Sequence, residues 1–322
     1  MRRREFVTGL GCAAAVWTGC ALAQTDKINR LAVLGASSRG LDFVRAVTLP
    51  ELQKLGYAEG QNLVVDMRSG PPAELPELAR LLVASKPSAI FALDGTSVAA
   101  SRRETTTIPI VMFGADPVEL GFAQRLARPG SNITGLVILA PELDAKRLEL
   151  LHEALPSGRR IAALVDVSAP GSAERQRRVS EVASHFGFAL SLIEASGPHA
   201  YEEAFAAIQQ AGAQALAIGA SPQFARDGVR LAELALERHL PTICQWREMA
   251  QQGCLLSYGP SRPDLFRRTA SFVARLFAGA SPGDLPIEQP TSFELVINAK
   301  TANVLNLKIP PTLLARADEV IE

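Results

Sequence analysis

A chain of 322 residues is too long for one ordinary hydrophobic core and suits two. With 48% apolar and 20% charged residues, its composition is globular, which excludes an intrinsically disordered chain. Lys+Arg and Asp+Glu stand at 33 each, so no net basic charge points to nucleic acid.

Residues 1–23 read as an export signal. Arg2, Arg3 and Arg4 form a charged start, an apolar stretch runs from Phe6 to Trp17, and Ala21-Leu22-Ala23 supplies small residues for cleavage before Gln24. Arg3-Arg4-Glu5-Phe6-Val7 fits the twin-arginine export pattern, so a periplasmic protein is expected. The alternative is a membrane anchor, but the apolar stretch falls short of the roughly 20 residues a span needs. A lipoprotein reading would use Gly19-Cys20, with Trp17 standing where a small aliphatic residue is wanted. Cleavage takes three arginines and one glutamate, leaving a formal charge of −2. Cys12 and Cys20 leave too. Cys244 and Cys254 remain as a disulfide or as two buried thiols; spacing alone does not choose.

Beyond the signal, short apolar runs alternate with helical stretches. Strands are predicted at Arg30–Ala36, Leu63–Met67, Ala89–Leu93 and Ile108–Phe113, with helices at Leu41–Leu55, Leu75–Ala84 and Ser97–Thr105 between them. Runs of four to seven apolar residues bounded by turn signals suit strands buried on both faces, and their alternation with helices gives parallel βαβ units. The pattern restarts at Asn132–Leu139. Strands follow at Ile161–Val165, Phe188–Ile193, Ala215–Ile218 and Thr242–Trp246, separated by helices at Glu142–Leu155, Ser172–Phe186, Tyr201–Ala211 and Gln223–Arg238. The tail adds a strand at Cys254–Tyr258, a helix at Asp264–Phe277, a linker at Ala280–Pro286, a strand at Phe293–Ile297 and a short helix near Lys300–Leu305. A last helical segment follows Pro310-Pro311. More elements than two contiguous sheets need suggests lobes that exchange their ends.

Catalytic motifs are missing. There is no Walker loop and no Gly-x-Ser-x-Gly elbow, and Gly35-Ala-Ser-Ser-Arg-Gly40 lacks dinucleotide-loop spacing. His152, His185, His199 and His239 show no paired ligand spacing, and Cys244 and Cys254 lack two further zinc ligands. No enzyme, cofactor or metal is expected.

Several collinear runs carry a resemblance. They include Leu55-Gly-Tyr-x-Glu-Gly60, Asp116-Pro117, Leu126-Ala-Arg-Pro-Gly-Ser-Asn-Ile-Thr-Gly135, Lys146-Arg-Leu-Glu-Leu-Leu151 and Ser257-Tyr-Gly-Pro260. Leu285–Asn298 and Ile309–Ile321 add two more. Together they resemble the substrate-binding proteins of ABC transporters, of the tryptophan/tyrosine type, over nearly the whole chain past the signal. The resemblance implies a type I periplasmic binding fold: two doubly wound parallel-sheet lobes joined by a three-crossing hinge. Lobe 1 would take 28–138 plus 255–288, and lobe 2 would take 139–254 plus 289–322. It also implies a monomer that captures a small molecule, an amino acid or a related aromatic or carboxylate compound, for an ABC permease in the inner membrane. Alternatives are a sensor for a membrane signalling partner and a secreted hydrolase. A sugar-responsive repressor would need a DNA-binding headpiece where the signal stands.

Ligands of open parallel sheets sit outside the carboxyl ends of the strands. That rule selects Ser37, Ser38, Gly95, Thr96, Ser97 and Asp116 from the first lobe, and Ser168, Ser172, Ser221 and Trp246 from the second, with Tyr258 on the tail strand. The hydroxyls stand beside helix N-termini, where unpaired N–H groups hold a carboxylate; the competing reading makes them ordinary caps. Asp116 pairs with a ligand ammonium or caps the turn before Pro117. Trp246 and Tyr258 stack on a flat ligand or pack the hinge.

Overall fold

Seven-residue and shorter apolar runs become the strands of two separate sheets. The computed structural model describes residues 28–114, 116–138, 140–168 and 171–322. The expected export signal and its cleavage site lie outside the described residues. The first sheet holds β1 (Asn29–Gly35), β2 (Leu63–Ser69), β3 (Ala89–Ala92), β4 (Ile110–Gly114) and β5 (Ile133–Val137). All its pairs are parallel, in the order β2-β1-β3-β4-β5. β3 is buried along its whole length, as a strand covered on both faces must be.

The second sheet holds β6 (Arg160–Val165), β7 (Ala189–Glu194), β8 (Ala215–Ile218), β9 (Thr242–Cys244), β10 (Leu256–Gly259), β11 (Glu294–Asn298) and β12 (Glu319–Ile321). Its order is β12-β11-β10-β9-β8-β6-β7, and only the β10–β11 pair is antiparallel. Read as β7-β6-β8-β9-β10, its first five strands repeat the winding of the first sheet.

That repeat explains one departure from expectation. The expected first lobe includes residues 255–288, but β10, inside that range, is the fifth strand of the second winding and pairs with β9 and β11. The chain therefore crosses after Gly259, and the next helix, Arg262–Phe277, packs on the first sheet. Phe266 anchors it there, with ring centroids 5.2 Å from Phe43, 5.9 Å from Phe91 and 5.3 Å from Phe113. The final segment also differs: it is one short helix, Pro311–Leu314, and then strand β12.

The helix expected over Leu41–Leu55 forms with a fault in its middle. Ser38–Phe43 and Leu49–Lys54 are α-helical, and Val44–Thr48 between them is a π turn, in which the Leu49 N–H reaches back five residues to Val44. Pro50 lacks a donor and its ring crowds the carbonyl four residues earlier, so the helix widens at this point.

The crossings lie side by side. Val137 N donates to Glu288 O at 2.9 Å and Glu288 N to Gly135 O at 2.9 Å, pairing the chain that leaves the first sheet with the chain that returns from the helix Arg262–Phe277. Thr134 Oγ1 adds a bond to Leu285 O at 3.0 Å.

Cys244 and Cys254 are free, buried thiols. Cys244 Sγ donates to Leu256 O at 3.3 Å, and burial pushes the thiol well above its ordinary value. Because a thiolate is the reactive form, both cysteines should resist a maleimide in the native protein and react once it is denatured. Peptide mapping by mass spectrometry checks this; native labelling of either cysteine would contradict the packing.

Candidate ligand cleft

In a sheet wound as both of these are, the strand order reverses beside the first strand, and the loops there splay apart. The reversal lies between β1 and β3 in one lobe and between β6 and β8 in the other. A buried aspartate staples the loops at each. Asp94 Oδ2 accepts from Ala36 N at 2.7 Å, joining the loop after β3 to the loop after β1. It also caps the helix Gly95–Glu104, accepting from Ser97 N at 2.8 Å and Ser97 Oγ at 2.9 Å. Burial pushes the Asp94 carboxyl up, against the pull of these donors. In the second lobe Asp166 accepts from Ser168 N at 3.0 Å and Ser168 Oγ at 2.6 Å, and from Ser221 Oγ at 2.5 Å.

These staples account for several of the selected hydroxyls. Ser97 is wholly buried and committed to Asp94. Ser168 and Ser221 are committed to Asp166, and Ser221 also accepts from Gln223 N at 3.1 Å. Asp116 Oδ1 accepts from Val118 N at 2.8 Å, a local turn. Ser172 Oγ donates to Val167 O at 3.4 Å. Gly95 and Thr96 are half-buried in the first turn of their helix, and Ser38 is exposed at the start of its own.

Between the lobes lies a narrow cleft, about 320 Å³ with its open mouth included. Ser37, Arg39 and Asp94 line it from the first lobe, Pro222, Ala225 and Arg226 from the second, and Arg262 from the helix beyond the second crossing. Arg39 spans it: Nη1 donates to Ala225 O at 2.9 Å, and the Gln252 amide oxygen, turned toward it, accepts at 2.8 and 3.2 Å. A second contact between lobes pairs Arg178 with Glu119 at 2.5 Å.

Arg262 is nearly buried between aromatic groups of both lobes. Its guanidinium lies 4.8 Å from the Phe43 ring centroid and 4.7 Å from that of Trp246. Desolvation lowers its pKa, Glu248 stands off at 4.0 Å, and Nε has no partner. A desolvated cation over an aromatic ring gains about 2 kcal/mol. Trp246 is 5% exposed beneath it. Tyr258 faces the hinge, its ring 5.9 Å from that of Phe293.

Among the described residues Arg39 has no carboxylate partner, whereas Arg226 is paired with Asp227 at 2.8 Å. Arg39 is therefore the cleft arginine left open to a ligand anion. Neither Arg39 nor Arg262 was selected from the sequence. Arg39 adjoins Ser38 in the same helical turn, a signal at hand; Arg262 reaches the cleft only because its helix folds back across the hinge.

Residues 36–321 match the family described as ABC transporter substrate binding protein. The chain belongs to that family. A tyrosine-binding protein from Clostridioides difficile (strain R20291) is 23% identical over 272 residues, 83% of this chain and 78% of its own length. A conserved domain protein from Vibrio cholerae O1 biovar El Tor superposes with a TM-score of 0.86 at 27% identity, covering 91% of this chain and all of that one. An ABC domain from Streptococcus pneumoniae, solved in complex with L-Trp, superposes with a TM-score of 0.84 at 21% identity, over 91% of this chain and 99% of that one. This substrate-binding protein thus has the type I periplasmic binding fold. Its family is one of solute binders, not an enzyme family.

Proposed function

We propose that this protein is the extracytoplasmic receptor of an ABC importer and traps a small carboxylate-bearing compound, such as an aromatic amino acid, by closing its lobes. The observation that carries the reading is the cleft at the two topological switch points, lined from both lobes and spanned by Arg39. Each lobe alone offers half a site, so a ligand that touches both stabilises the closed form, which the permease reads. The relatives named for tyrosine and solved with L-Trp favour the same ligand class.

Arg39 and Arg262 supply the positive charge for the carboxylate, aided by backbone N–H groups in the loop of Ser37 and Ser38 and at Gly95, beside Thr96. Asp116 is the acidic group offered to an ammonium. Ser168 and Ser221 brace the opposite loops through Asp166, and Ser172 starts the helix behind them. Trp246 and Tyr258 act at the base and hinge, Trp246 by holding Arg262 in place.

The test is a thermal-shift screen of amino acids and aromatic acids, with L-Trp and L-Tyr included, followed by native mass spectrometry. Binding at a hundredfold excess over Kd stabilises the fold by about 2.7 kcal/mol, a readily measured shift. Arg39→Ala should weaken the ligand so identified by about tenfold or more, the usual worth of a charge-assisted hydrogen bond. Trp246→Ala should weaken it as well, by freeing Arg262. A ligand whose affinity ignores Arg39→Ala would remove the cleft from this role.

A further inference from the structure

The second lobe contains a cavity that the cleft does not use. It lies between the helices Ala140–Ala154 and Ser172–His185 and the carboxyl halves of β6, β7 and β8, and no residue of the first lobe lines it. It has about 620 Å³ of free space counting its mouth. Its walls are apolar, built from Leu148, Leu164, Val179, Leu192 and Ile218 among others.

One wall is charged, and one of its buried donors lacks a partner. Arg147, 2% exposed, donates through Nη1 to Asp144 Oδ1 at 2.6 Å and through Nε to Tyr258 O at 2.8 Å; Nη2 is buried without a partner. Arg175 grips both oxygens of Asp144, at 2.6 and 2.9 Å, and donates to Ala220 O at 2.6 Å. Two guanidiniums therefore share one carboxylate beside an apolar space. An orphaned buried donor is costly, and a ligand carboxylate at this wall would satisfy it.

The roof is lightly held. Of the helix Ser172–His185 only Ala183 is fully buried; Val179 and Val182 pack half-buried against the lobe's core, and Arg175 and Arg178 add polar ties. Such a helix can lift to admit a ligand more easily than one rooted in the core.

We propose that this cavity is a second binding site, for a small monocarboxylate with an apolar tail. Its carboxylate meets Arg147, and its tail fills the space under the helix Ser172–His185. The site asks for a carboxylate and apolar surface: Asp144 is already gripped by two arginines, and Asp166 at the rim is held by Ser168 and Ser221. The site shares no lining residue with the cleft. Because the roof helix carries Arg178, paired with Glu119 of the other lobe, an acid bound here also bears on the contact between lobes.

Titration calorimetry with benzoate and with its neutral isostere benzamide tests the proposal on the whole protein. Benzoate should bind with one-to-one stoichiometry, and benzamide at least about tenfold more weakly. Ala163→Leu fills the cavity from β6 and should abolish benzoate binding while keeping or raising Tm. If that variant does not fold, Ala217→Val tests the same wall from β8. A crystal soaked with 4-bromobenzoate should show its anomalous peak beneath the helix Ser172–His185. No benzoate binding at millimolar concentration, equal binding of benzamide, unchanged affinity in the filled variant, or a bromine peak in the cleft would each overturn the proposal.

Discussion

Asp144→Asn should lose about 3–5 kcal/mol of stability at neutral pH, the usual result of removing one partner from a buried ionic group. The side chain sits between Arg175 and Arg147, and both guanidiniums would be left inside the lobe with no counter-charge. The pH dependence has a definite sign. Burial by itself pushes the Asp144 carboxyl up, but Arg175 and Arg147 outweigh it and hold the group below its ordinary value. A carboxyl depressed in the folded state contributes fully above its unfolded value, about 3.9, and loses that contribution as pH falls through the folded value. The parent protein should therefore show an acid limb below about pH 4 that the Asn variant lacks. Urea unfolding at a series of pH values measures both effects. Equal stability at neutral pH would mean that the cluster is not the buried ionic group described above.

Gly135→Ala should be as damaging, with a loss of more than about 4 kcal/mol or outright failure to fold. Gly135 adopts φ +128°, where an L side chain is strained, and a Cβ there would stand 2.3 Å from Met112 O and 2.7 Å from Met112 N. Both contacts are to the backbone of β4, so no rotamer change relieves them. Gly135 also accepts from Glu288 N, where two hinge crossings pair. The substitution thus pushes β5 off β4 and disturbs the hinge together. A thermal melt of Gly135→Ala within a few degrees of the parent would show that β5 shifts without penalty.

By contrast, the many exposed pairs on helix surfaces contribute little. Glu174 is an example: hydrogen bonds from Arg177 and Arg178 lower its pKa to about 2, yet it is open to solvent on the lobe's surface, and such pairs are screened by salt. Stability is concentrated in the buried clusters, among them the aromatic group around Phe266 that roots the returning helix in the first lobe.

What the sequence determined by itself was the alternation of elements and the strand tips. Ala89–Ala92 and Ile161–Val165 are short apolar runs ended by polar turns, and such a local pattern reports burial on two faces directly. The loop rule then led to Ser37 and to the neighbourhood of Asp94 without knowledge of any contact. Only the tertiary structure decided which sheet β10 joins, because a strand buried on both faces carries no mark of its neighbours. It also decided what the hydroxyls of Ser97, Ser168 and Ser221 bind, since each is consumed by an aspartate that local spacing did not single out. Arg39, Arg147 and Arg262 remained illegible for the same physical reason. A helical arginine looks solvated in sequence, and only packing between distant segments shows that it is buried, which partner it lacks and which cavity it borders.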